Sequence, residues 1–392
     1  MPHSRTVIVA GAGIGGLAAA IALANAGCRV IVLERDREAD ISGAGIQLSP
    51  NATRTLAALG ALEALREKAV EPSELAVANA LNGATLATMQ LSTAMEARFK
   101  SPYLVCLRAD LHETLAKIAS NHPAIELQYG AAVADFTGNN SGVTARIERN
   151  GVNEEISADA LIGADGIRSQ IRLKLHAAAH PRHGGISAWR ATIPTTALAS
   201  AMQDKPRVNV WLGPGAHLVY YPVGDGSKIN LVAVTTDKNA TNSWGEEAAA
   251  ADVAEHFRTW HATPQSVIAM TPAFRRWSIY EAPLLSAWGK GAVTLLGDAA
   301  HGMFPFLAQG AASALEDAVT LAHELRNSEN VADALRAYER LRLPRTQKMQ
   351  SAARNVGRIY HLRRPFSFGR DLVMKQIGGE GLLRQNEWIY RG

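Results

Sequence analysis

Three glycines near the start of the chain have the types and spacing that bind the phosphates of a dinucleotide. Gly11, Gly13 and Gly16 form the pattern GxGxxG, and Glu34 follows Gly16 by 18 residues. The first glycine permits a tight turn, the second lets the backbone approach a pyrophosphate, and the third lets a helix pack closely on a strand. An acid at the position of Glu34 accepts hydrogen bonds from an adenosine ribose. These four residues predict dinucleotide binding.

A strand, a helix and a second strand must position these glycines. TVIVA is typical of a short buried strand, IGGLAAAIALANAG of a helix ended by Gly27, and RVIVLE of the next strand. By length alone, the uncharged run over 7–27 could cross a membrane, and with Arg5 it loosely resembles a signal peptide. Glycine-rich turns also precede helices in other α/β proteins. The order strand, glycine turn, helix, strand, acid favours a βαβ unit.

Composition limits the classes of protein and of partner. The 392 residues are 47% hydrophobic and 19% charged, which suits two or three globular domains. A net charge of +4 favours anionic ligands, but no aromatic-interleaved basic stretch predicts a nucleic-acid partner. We expect the basic stretches at 340–348 and 361–366 to be solvated helix faces. Cys28 and Cys106 are too few for a disulfide framework or a cysteine-based zinc site, so we expect a cytoplasmic protein without a metal. No later stretch predicts a membrane span.

The pattern changes along the chain from α/β to mostly β and back. A hairpin with its turn at Asn82 and Gly83 is predicted between 75 and 91, the texture from about 180 to 280 is mostly strand-like, and helices follow from 330. We therefore predict an α/β fold with an α+β insertion. Its parts are a discontinuous Rossmann-like nucleotide domain over 1–72, 102–178 and 280–350, a mostly antiparallel β substrate domain over 73–101 and 179–279, and a C-terminal helical segment over 351–392.

A second acid lies in a position to bind a ligand. Asp298 follows the apolar strand AVTLL, and open α/β sheets bind ligands at the carboxyl ends of their strands. A helix-capping aspartate is the alternative. His301 could act as a base, but a satisfied histidine in a tight loop is the favoured interpretation. GGEGLL near the C-terminus does not follow a strand, so no second nucleotide fold is predicted.

Three stretches together resemble the fingerprints of the single-component flavoprotein aromatic hydroxylases, such as p-hydroxybenzoate, salicylate and 3-hydroxybenzoate hydroxylase. They are GxGxxG, ALIGADGIRSQIR at 160–172 and LLGDAAHGMFPFLAQGAASALEDA at 295–318. GAGIQLSPNA and GPGAHLVYYPV are similar to the salicylate, 3-hydroxybenzoate and 6-hydroxynicotinate branch. The resemblance covers nearly the whole chain, in order and at fitting spacing.

The resemblance implies an FAD-dependent monooxygenase that consumes NADH or NADPH and dioxygen. Its substrate would be a small hydroxylated aromatic or hydroxypyridine carboxylate, hydroxylated through a flavin C4a-hydroperoxide, and the nicotinamide nucleotide would bind only transiently. A related flavin epoxidase, a urate-type hydroxylase and a non-catalytic nucleotide-binding flavoprotein stay open. Flavin disulfide reductases are disfavoured because a redox cysteine pair and a second GxGxxG are missing. We expect a monomer or a homodimer.

The resemblance also implies roles for individual residues. Asp298 would hydrogen-bond the ribityl chain of FAD, Arg108 would lie near the pyrophosphate, and the backbone of Val133 would meet the adenine. Asp165 and Gly166 would shape both the FAD site and the transient nicotinamide site. The other implied FAD-binding residues are Ile14, Gly15, Arg35 and Gln47.

The segment after Asp298 leads into a helix. The first amides of that helix lie near Gly310 and Ala311, and with the positive end of its dipole they can stabilise the negative charge of a reduced flavin around N1 and O2. Pro305 would lie beside the reacting edge of the flavin. Ordinary helix capping explains the glycine equally well, so these roles depend on the resemblance.

The stretch HLVYYPV predicts a strand that carries a base. His217, Val219 and Tyr221 share one face, with His217 and Tyr221 about 13 Å apart along it. Histidine has a pKa near working pH, so His217 is our candidate to remove a phenol proton, while Tyr221 orients the substrate or relays the proton. Gln47 could hydrogen-bond the substrate. A half-buried aromatic strand with a surface histidine is the alternative.

Overall fold

A five-stranded parallel sheet forms the nucleotide-binding half of the protein. The structure is a computed structural model, and it describes residues 5–37, 44–149, 151–198, 205–237 and 243–392. The sheet has the order β18-β11-β1-β2-β7. Its strands are β1 (Thr6–Ala10), β2 (Arg29–Glu34), β7 (Ile125–Tyr129), β11 (Ala160–Gly163) and β18 (Val293–Leu295). Strands β1, β11 and β18 are almost wholly buried and apolar, as expected for a sheet that is covered on both faces.

The predicted βαβ unit is confirmed. Helix α1 (Ile14–Asn25) connects β1 to β2, which pair in parallel. Gly27 follows the helix with φ +91°, a conformation that favours glycine at a helix end. The uncharged run over 7–27 is therefore a buried strand and helix, and in the described part of the chain no helix is both long and apolar enough to cross a membrane.

An eight-stranded sheet forms the other half, in the order β16-β17-β12-β15-β14-β13-β4-β5. All of its neighbouring strands are antiparallel except β13 and β4. Its strands are β4 (Glu74–Asn79), β5 (Thr85–Gln90), β12 (Arg182–Pro194), β13 (Arg207–Gly213), β14 (Ala216–Val223), β15 (Lys228–Thr236), β16 (Trp244–Ala249) and β17 (Ala273–Glu281). The predicted hairpin between 75 and 91 is confirmed as β4 and β5, and it extends the sheet built mainly from strands over 179–279.

The structure also contains two smaller sheets. The first has two strands, β3 (Gly45–Leu48) and β6 (Leu104–Leu107), and the second has three, β8 (Ala131–Gly138), β9 (Val143–Arg149) and β10 (Val152–Ala158). The remaining helices are α2 (Pro50–Ala58), α3 (Leu62–Arg66), α4 (Ser92–Phe99), α5 (Arg108–Asn121), α6 (Gln170–Leu175), α7 (Ala250–Phe257), α8 (Ala262–Ala269), α9 (Asp298–His301), α10 (Gly310–Asn327), α11 (Val331–Tyr360) and α12 (Phe366–Tyr390). The predicted mixed α/β fold class is thus confirmed.

Two features differ from the sequence prediction. Helices α7 and α8 interrupt the region from 180 to 280, where the tryptophans and the scattered apolar residues obscured the helical spacing. The boundary placed at 350 falls inside α11, because the buried face of this helix continues without a break through Met349, Ala353 and Gly357. The division into domains stays a prediction.

The basic stretch at 340–348 is not simply a solvated face, so that expectation was wrong. Arg342 is buried and pairs with Asp317 and Glu316, each at 2.7 Å, and Arg345 also pairs with Glu316. Acids from α10 therefore compensate these arginines, which sequence spacing alone did not reveal. At 361–366 the arginines Arg363 and Arg364 are exposed as predicted, but they lie in a turn between two helices and not on a helix face.

The glycines of GGEGLL serve packing. Gly378 has φ +63° and kinks α12, and a Cβ on Gly379 would lie 1.8 Å from the carbonyl oxygen of Thr88. Close packing of α12 against β5 therefore requires glycine there.

Candidate active site

A cavity of about 480 Å³ lies between the parallel sheet and one face of the eight-stranded sheet. Loops that follow β1, β11 and β18 form one wall, as expected for the carboxyl ends of strands in an open α/β sheet. From this side the predicted residues in the lining are Gly13, Ile14, Gly15, Gly166, Asp298, Pro305, Gly310 and Ala311. Gln47, Arg108, His217 and Tyr221 complete the predicted set in the lining.

The glycine turn leaves the start of α1 open to this cavity. Gly11 has φ +107°, and a Cβ there would lie 2.5 Å from the carbonyl oxygen of Ala164. A Cβ on Gly16 would lie 1.9 Å from the carbonyl oxygen of Gly11, so helix and turn can approach only with glycine at both positions. Gly13, the N-cap of α1, faces open space instead. The turn therefore offers backbone amides to an anion.

Glu34, Arg35 and Val133 lie outside the cavity lining, around the end of β2. The carboxylate of Glu34 accepts hydrogen bonds from the amide of Ala12 at 2.7 Å and from the amide of Asp36 at 3.0 Å. Each of its oxygens has a second lone pair that a ribose hydroxyl could use. Arg35 is exposed and pairs with Asp36 at 3.1 Å. Val133 lies in β8, where the register with β9 shifts.

Asp165 has a carboxylate oxygen without a partner. Its Oδ2 accepts hydrogen bonds from the amides of Gln170 and Ile171 at 2.8 and 3.2 Å, whereas the enclosed Oδ1 has no partner among the described residues. Burial raises the pKa of Asp165. Asp165 itself is not among the cavity-lining residues, although its neighbours Ala164 and Gly166 are. An unsatisfied buried acceptor costs about 1–3 kcal/mol, so a donor that reached this oxygen would be stabilising.

Asp298 points towards the cavity, and it does not cap a helix. Gly297, with φ +63°, is the N-cap of the short helix α9, and no side chain caps that helix. The side chain of Asp298 is exposed at the cavity wall. Helix α10 begins at Gly310, as predicted, and a Cβ on Gly310 would lie 3.8 Å from Oδ1 of Asp298. The free amides at the start of α10 and the carboxylate of Asp298 thus face the same space.

The opposite wall is a face of the eight-stranded sheet. His217, Val219 and Tyr221 all line the cavity, while Leu218 and Tyr220 point into the core on the other side. His217 is 4% exposed, so the alternative of a surface histidine is wrong. The predicted alternation along β14 is therefore confirmed.

His217 is neutral in this environment. Its Nδ1 lies 2.8 Å from Nε2 of His361, and the Phe306 ring lies 5.4 Å away. Burial, with a smaller effect from His361, holds the pKa of His217 well below 6.5. Its Nε2 forms no hydrogen bond with the described residues and retains access to the cavity. A neutral imidazole with a free nitrogen can accept a proton.

Tyr221 and Gln47 form a polar pair beside it. Tyr221 is 3% exposed and lies near Gln47, and burial raises its pKa, so its hydroxyl stays protonated. Gln47 accepts a hydrogen bond of 2.7 Å from the hydroxyl of Tyr103. These contacts fix the orientation of the Gln47 amide at the cavity wall.

Comparison with known proteins identifies the family. The protein-family model described as "FAD binding domain" matches residues 4–353 of the chain. The chain is 36% identical to a 3-hydroxybenzoate 6-hydroxylase of Klebsiella oxytoca over 395 residues, covering 100% of this chain and 97% of the relative. The chain belongs to the FAD-binding-domain family of aromatic hydroxylases.

Two solved structures of this family share the fold along nearly the whole chain. A salicylate hydroxylase substrate complex has a TM-score of 0.85 at 25% identity, covering 100% of this chain and 96% of that one. A variant of Klebsiella pneumoniae HpxO complexed with FAD has a TM-score of 0.87 at 25% identity, covering 99% of each chain. The protein is an FAD-dependent aromatic monooxygenase, and NADH or NADPH is the reductant expected for this family.

The described residues fit FAD. The glycine turn, the orphaned oxygen of Asp165 and the exposed carboxylate of Asp298 offer an anion cradle and acceptors for hydroxyl groups. These are the groups that the pyrophosphate and the sugar-like chain of FAD require. No group of side chains suited to hold a metal ion occurs in the described ranges.

His301 is a structural residue of this hydroxylase. It is 1% exposed, its Nε2 lies 2.5 Å from Oδ2 of Asp317, and its ring packs on Trp288. It does not line the cavity. The interpretation as a structural histidine holds for Nε2, but Nδ1 is buried without a partner among the described residues, so the ring is only half satisfied.

Sequence reasoning missed Arg190, which lines the cavity from β12. Its nitrogens form no hydrogen bond with the described residues, its Nε is enclosed, and its guanidinium lies 5.5 Å from the centre of the Trp277 ring. Burial lowers the pKa of Arg190, and the nearby Arg108 adds to this. An arginine between the apolar residues Trp189 and Ala191 of a buried strand was the available signal.

Proposed function

We propose that this hydroxylase acts on a single-ring aromatic or pyridine carboxylate that bears a hydroxyl group. One observation carries the proposal: the same sheet face presents the unpaired guanidinium of Arg190 and the free Nε2 of His217 to one cavity. A guanidinium recognises a carboxylate through paired, charge-assisted hydrogen bonds. A neutral imidazole recognises a hydroxyl by accepting its proton.

The sheet register supports the spacing of these two groups. Arg190 pairs with Val232, which pairs with Val219, and His217 lies two residues before Val219 on the same face. Two strand spacings and two residues place the Cα atoms of Arg190 and His217 about 12 Å apart. Both side chains line the same cavity, and this separation of the Cα atoms is suited to one aromatic ring between them.

The charges of the cavity select an anion. Arg108 and Arg190 both line it, and the charge of Arg108 contributes to lowering the pKa of Arg190. We assign Arg190 to the substrate carboxylate and Arg108 to the pyrophosphate side of FAD. The exposed carboxylate of Asp298 on the opposite wall then faces hydroxyl groups of the cofactor.

Bound FAD would supply electron transfer from the nicotinamide nucleotide to dioxygen and the transfer of one oxygen atom to the ring. In this proposal the turn at Gly11, Gly13 and Gly16 holds the pyrophosphate, and Glu34 holds the adenosine ribose. Further cofactor contacts are assigned to Ile14, Gly15, Arg35, Gln47, Val133, Asp165, Gly166, Gly310 and Ala311.

The chain's own residues prepare the substrate. His217 takes the proton of the ring hydroxyl, because an ionised ring is richer in electrons and reacts faster with an electrophilic oxygen. Tyr221 and Gln47 orient the substrate through their polar groups. Pro305 lies in the cavity wall at the start of a short turn, where it would border the reacting edge of FAD.

The names of the relatives support this substrate class. Salicylate and 3-hydroxybenzoate each combine one ring, one carboxylate and one hydroxyl. We further propose that the protein works in the cytoplasm as a monomer or a homodimer. In support, Cys28 and Cys106 are both buried and free, as is usual in a reducing compartment.

A substrate screen tests the proposal. The FAD-loaded protein is mixed with NADH or NADPH and with each of the hydroxybenzoates, the hydroxynicotinates and urate, and both nucleotide oxidation and product mass are recorded. We expect one or more of the acids to stimulate oxidation and to gain one oxygen atom. Hydroxylation of urate alone would overturn the carboxylate assignment. Protein that stays colourless with added FAD would overturn the FAD site.

A further inference from the structure

Two histidines from distant parts of the chain form a direct pair at the cavity wall. His217 lies in β14, and His361 follows the last residue of α11. Nδ1 of His217 and Nε2 of His361 are 2.8 Å apart, a hydrogen-bond distance. The Phe306 ring lies 5.4 Å from His217 and 5.6 Å from His361, and the Tyr360 ring lies 5.6 Å from His217. Aromatic rings thus enclose the pair.

The free nitrogens of the pair face opposite sides. Nε2 of His217 has access to the cavity. Nδ1 of His361 forms no hydrogen bond with any described residue and is not enclosed. His361 is half-buried in the turn between α11 and α12, next to the exposed Arg363. The pair therefore connects the cavity with the surface.

The hairpin between β13 and β14 holds this turn in place. The amide of Gly215 donates a hydrogen bond of 3.1 Å to the carbonyl oxygen of His361. Gly215 has φ +73°, and a Cβ there would lie 2.9 Å from the guanidinium of Arg363. The backbone of His361 is thus tied to the strand that carries His217.

The surroundings disfavour a positive charge on either ring. Burial, with the charge of Arg370 on α12, lowers the pKa of His361 to about 4, and burial lowers the pKa of His217 well below 6.5. Arg363, in the turn, is a second cation on this side. Neither neighbouring ring adds a negative charge. Phe306 cannot ionise, and burial raises the pKa of Tyr360, so its hydroxyl stays protonated. At neutral pH both imidazoles are uncharged. His217 therefore does not retain a proton that it takes from the substrate.

We propose that His361 is a positioning residue that passes the proton of the substrate hydroxyl from His217 to solvent. The inference rests on the proposed function, because it requires a substrate with a ring hydroxyl. The hydroxyl proton moves to Nε2 of His217, the Nδ1 proton of His217 moves to Nε2 of His361, and the Nδ1 proton of His361 moves to water. The substrate becomes a phenolate and water becomes hydronium. Both rings are neutral before and after the transfer. In each ring the proton has moved from Nδ1 to Nε2.

Substitutions at His361 separate this role from a structural one. In His361→Gln, the side-chain oxygen can still accept a hydrogen bond from His217, but the amide cannot pass a proton on. His361→Ala leaves space that imidazole in solution could occupy. His323→Gln is the matched control, because His323 is a surface histidine of α10 with a side chain that is 59% exposed.

The experiment follows proton release when the substrate binds. FAD-loaded variants are mixed without reductant with 3-hydroxybenzoate in weak buffer with a pH-indicator dye, and the phenolate absorbance is recorded. We expect proton release to slow by on the order of tenfold or more in both His361 variants, as is usual for loss of a proton-transfer group. Imidazole should restore the rate of His361→Ala, and His323→Gln should match the wild type. A fluorinated hydroxybenzoate that is already ionised in solution should bind equally fast to all variants.

Several results would overturn the relay. Proton release by His361→Gln at the wild-type rate would remove His361 from the path. Equal slowing with the pre-ionised fluorinated acid would show that His361 only shapes the cavity. If hydroxybenzoates stimulate NADH oxidation in the wild type but release no proton, the relay is wrong while the proposed function stands. If no hydroxylated acid stimulates oxidation, the proposed function fails and the relay with it.

Discussion

Replacing Arg190 by Met tests the substrate assignment most directly. The substitution removes the guanidinium but keeps a long apolar side chain against Trp277. Because the guanidinium has no hydrogen-bond partner among the described residues, the substitution breaks no hydrogen bond between them. We therefore expect the free energy of unfolding to stay the same or to rise, since an uncompensated buried charge is costly.

The expected loss of affinity follows from the contacts that a carboxylate would make. A hydrogen bond to a charged group contributes about 1.5–3 kcal/mol, and a carboxylate can accept two from one guanidinium. Arg108 remains in the cavity and compensates part of the loss. A net loss of about 3 kcal/mol corresponds to an increase in Kd of about 100-fold.

The assay measures Kd from the change in flavin absorbance when 3-hydroxybenzoate, or its neutral amide 3-hydroxybenzamide, binds. Arg190→Met should weaken the acid about 100-fold and the amide by less than about threefold. Arg275→Met is the matched control, because Arg275 pairs with Arg190 in the sheet but is exposed and lies outside the cavity lining. A Kd for the acid within threefold of wild type, or an equal loss for acid and amide, would refute the carboxylate assignment.

Four further predictions concern the cofactor, the reductant, the base and the core. Asp298→Ala should lose FAD during purification, since it removes an acceptor at the cavity wall, and full FAD occupancy would contradict this. Asp165→Ala should slow reduction of bound flavin by nicotinamide nucleotide in stopped-flow measurements, and an unchanged rate would separate Asp165 from that step. His217→Ala should keep FAD but form more hydrogen peroxide per NADH. Because burial lowers the pKa of His217, the loss of wild-type activity through its protonation should lie below pH 6.5, and a midpoint above pH 7 would argue for another base. Asp317 has a pKa lowered to about 2, with Arg342 and a buried histidine favouring its charged form, so its stabilising effect is complete above pH 4 and is lost as the pH falls towards 2. Urea unfolding should show the difference between wild type and Asp317→Asn shrinking by about 2 kcal/mol over that range, and a constant difference would contradict the shift.

The cofactor side could be predicted because its signals are local. Gly11, Gly13 and Gly16 lie within six residues, and the strands that flank them carry recognisable apolar runs. The position of Asp298 was predicted in the same way, because a residue that directly follows a buried strand lies at the carboxyl end of that strand. Contacts of this kind depend on the nearest few residues, so the sequence order alone is informative.

The substrate side could be predicted only in part. The alternation along β14 placed His217 and Tyr221 on one face, but it could not show what faces them. Arg190 meets that face only through the register of β12, β15 and β14. His361 is 144 residues from His217 along the chain. Such pairs depend on which strands and turns become neighbours, and a single sequence does not contain that information locally.

The order of strands in the parallel sheet constrains how the protein can be made. Strand β11 lies between β1 and β18, yet β18 begins only at Val293, after all strands of the eight-stranded sheet. A nascent chain on the ribosome must therefore expose the edge of β11 until the last quarter of synthesis, and α1 must wait for α10 to cover it. An open strand edge is a template for aggregation. A fragment that ends before β18 should therefore be insoluble, because the edge of β11 stays open in it.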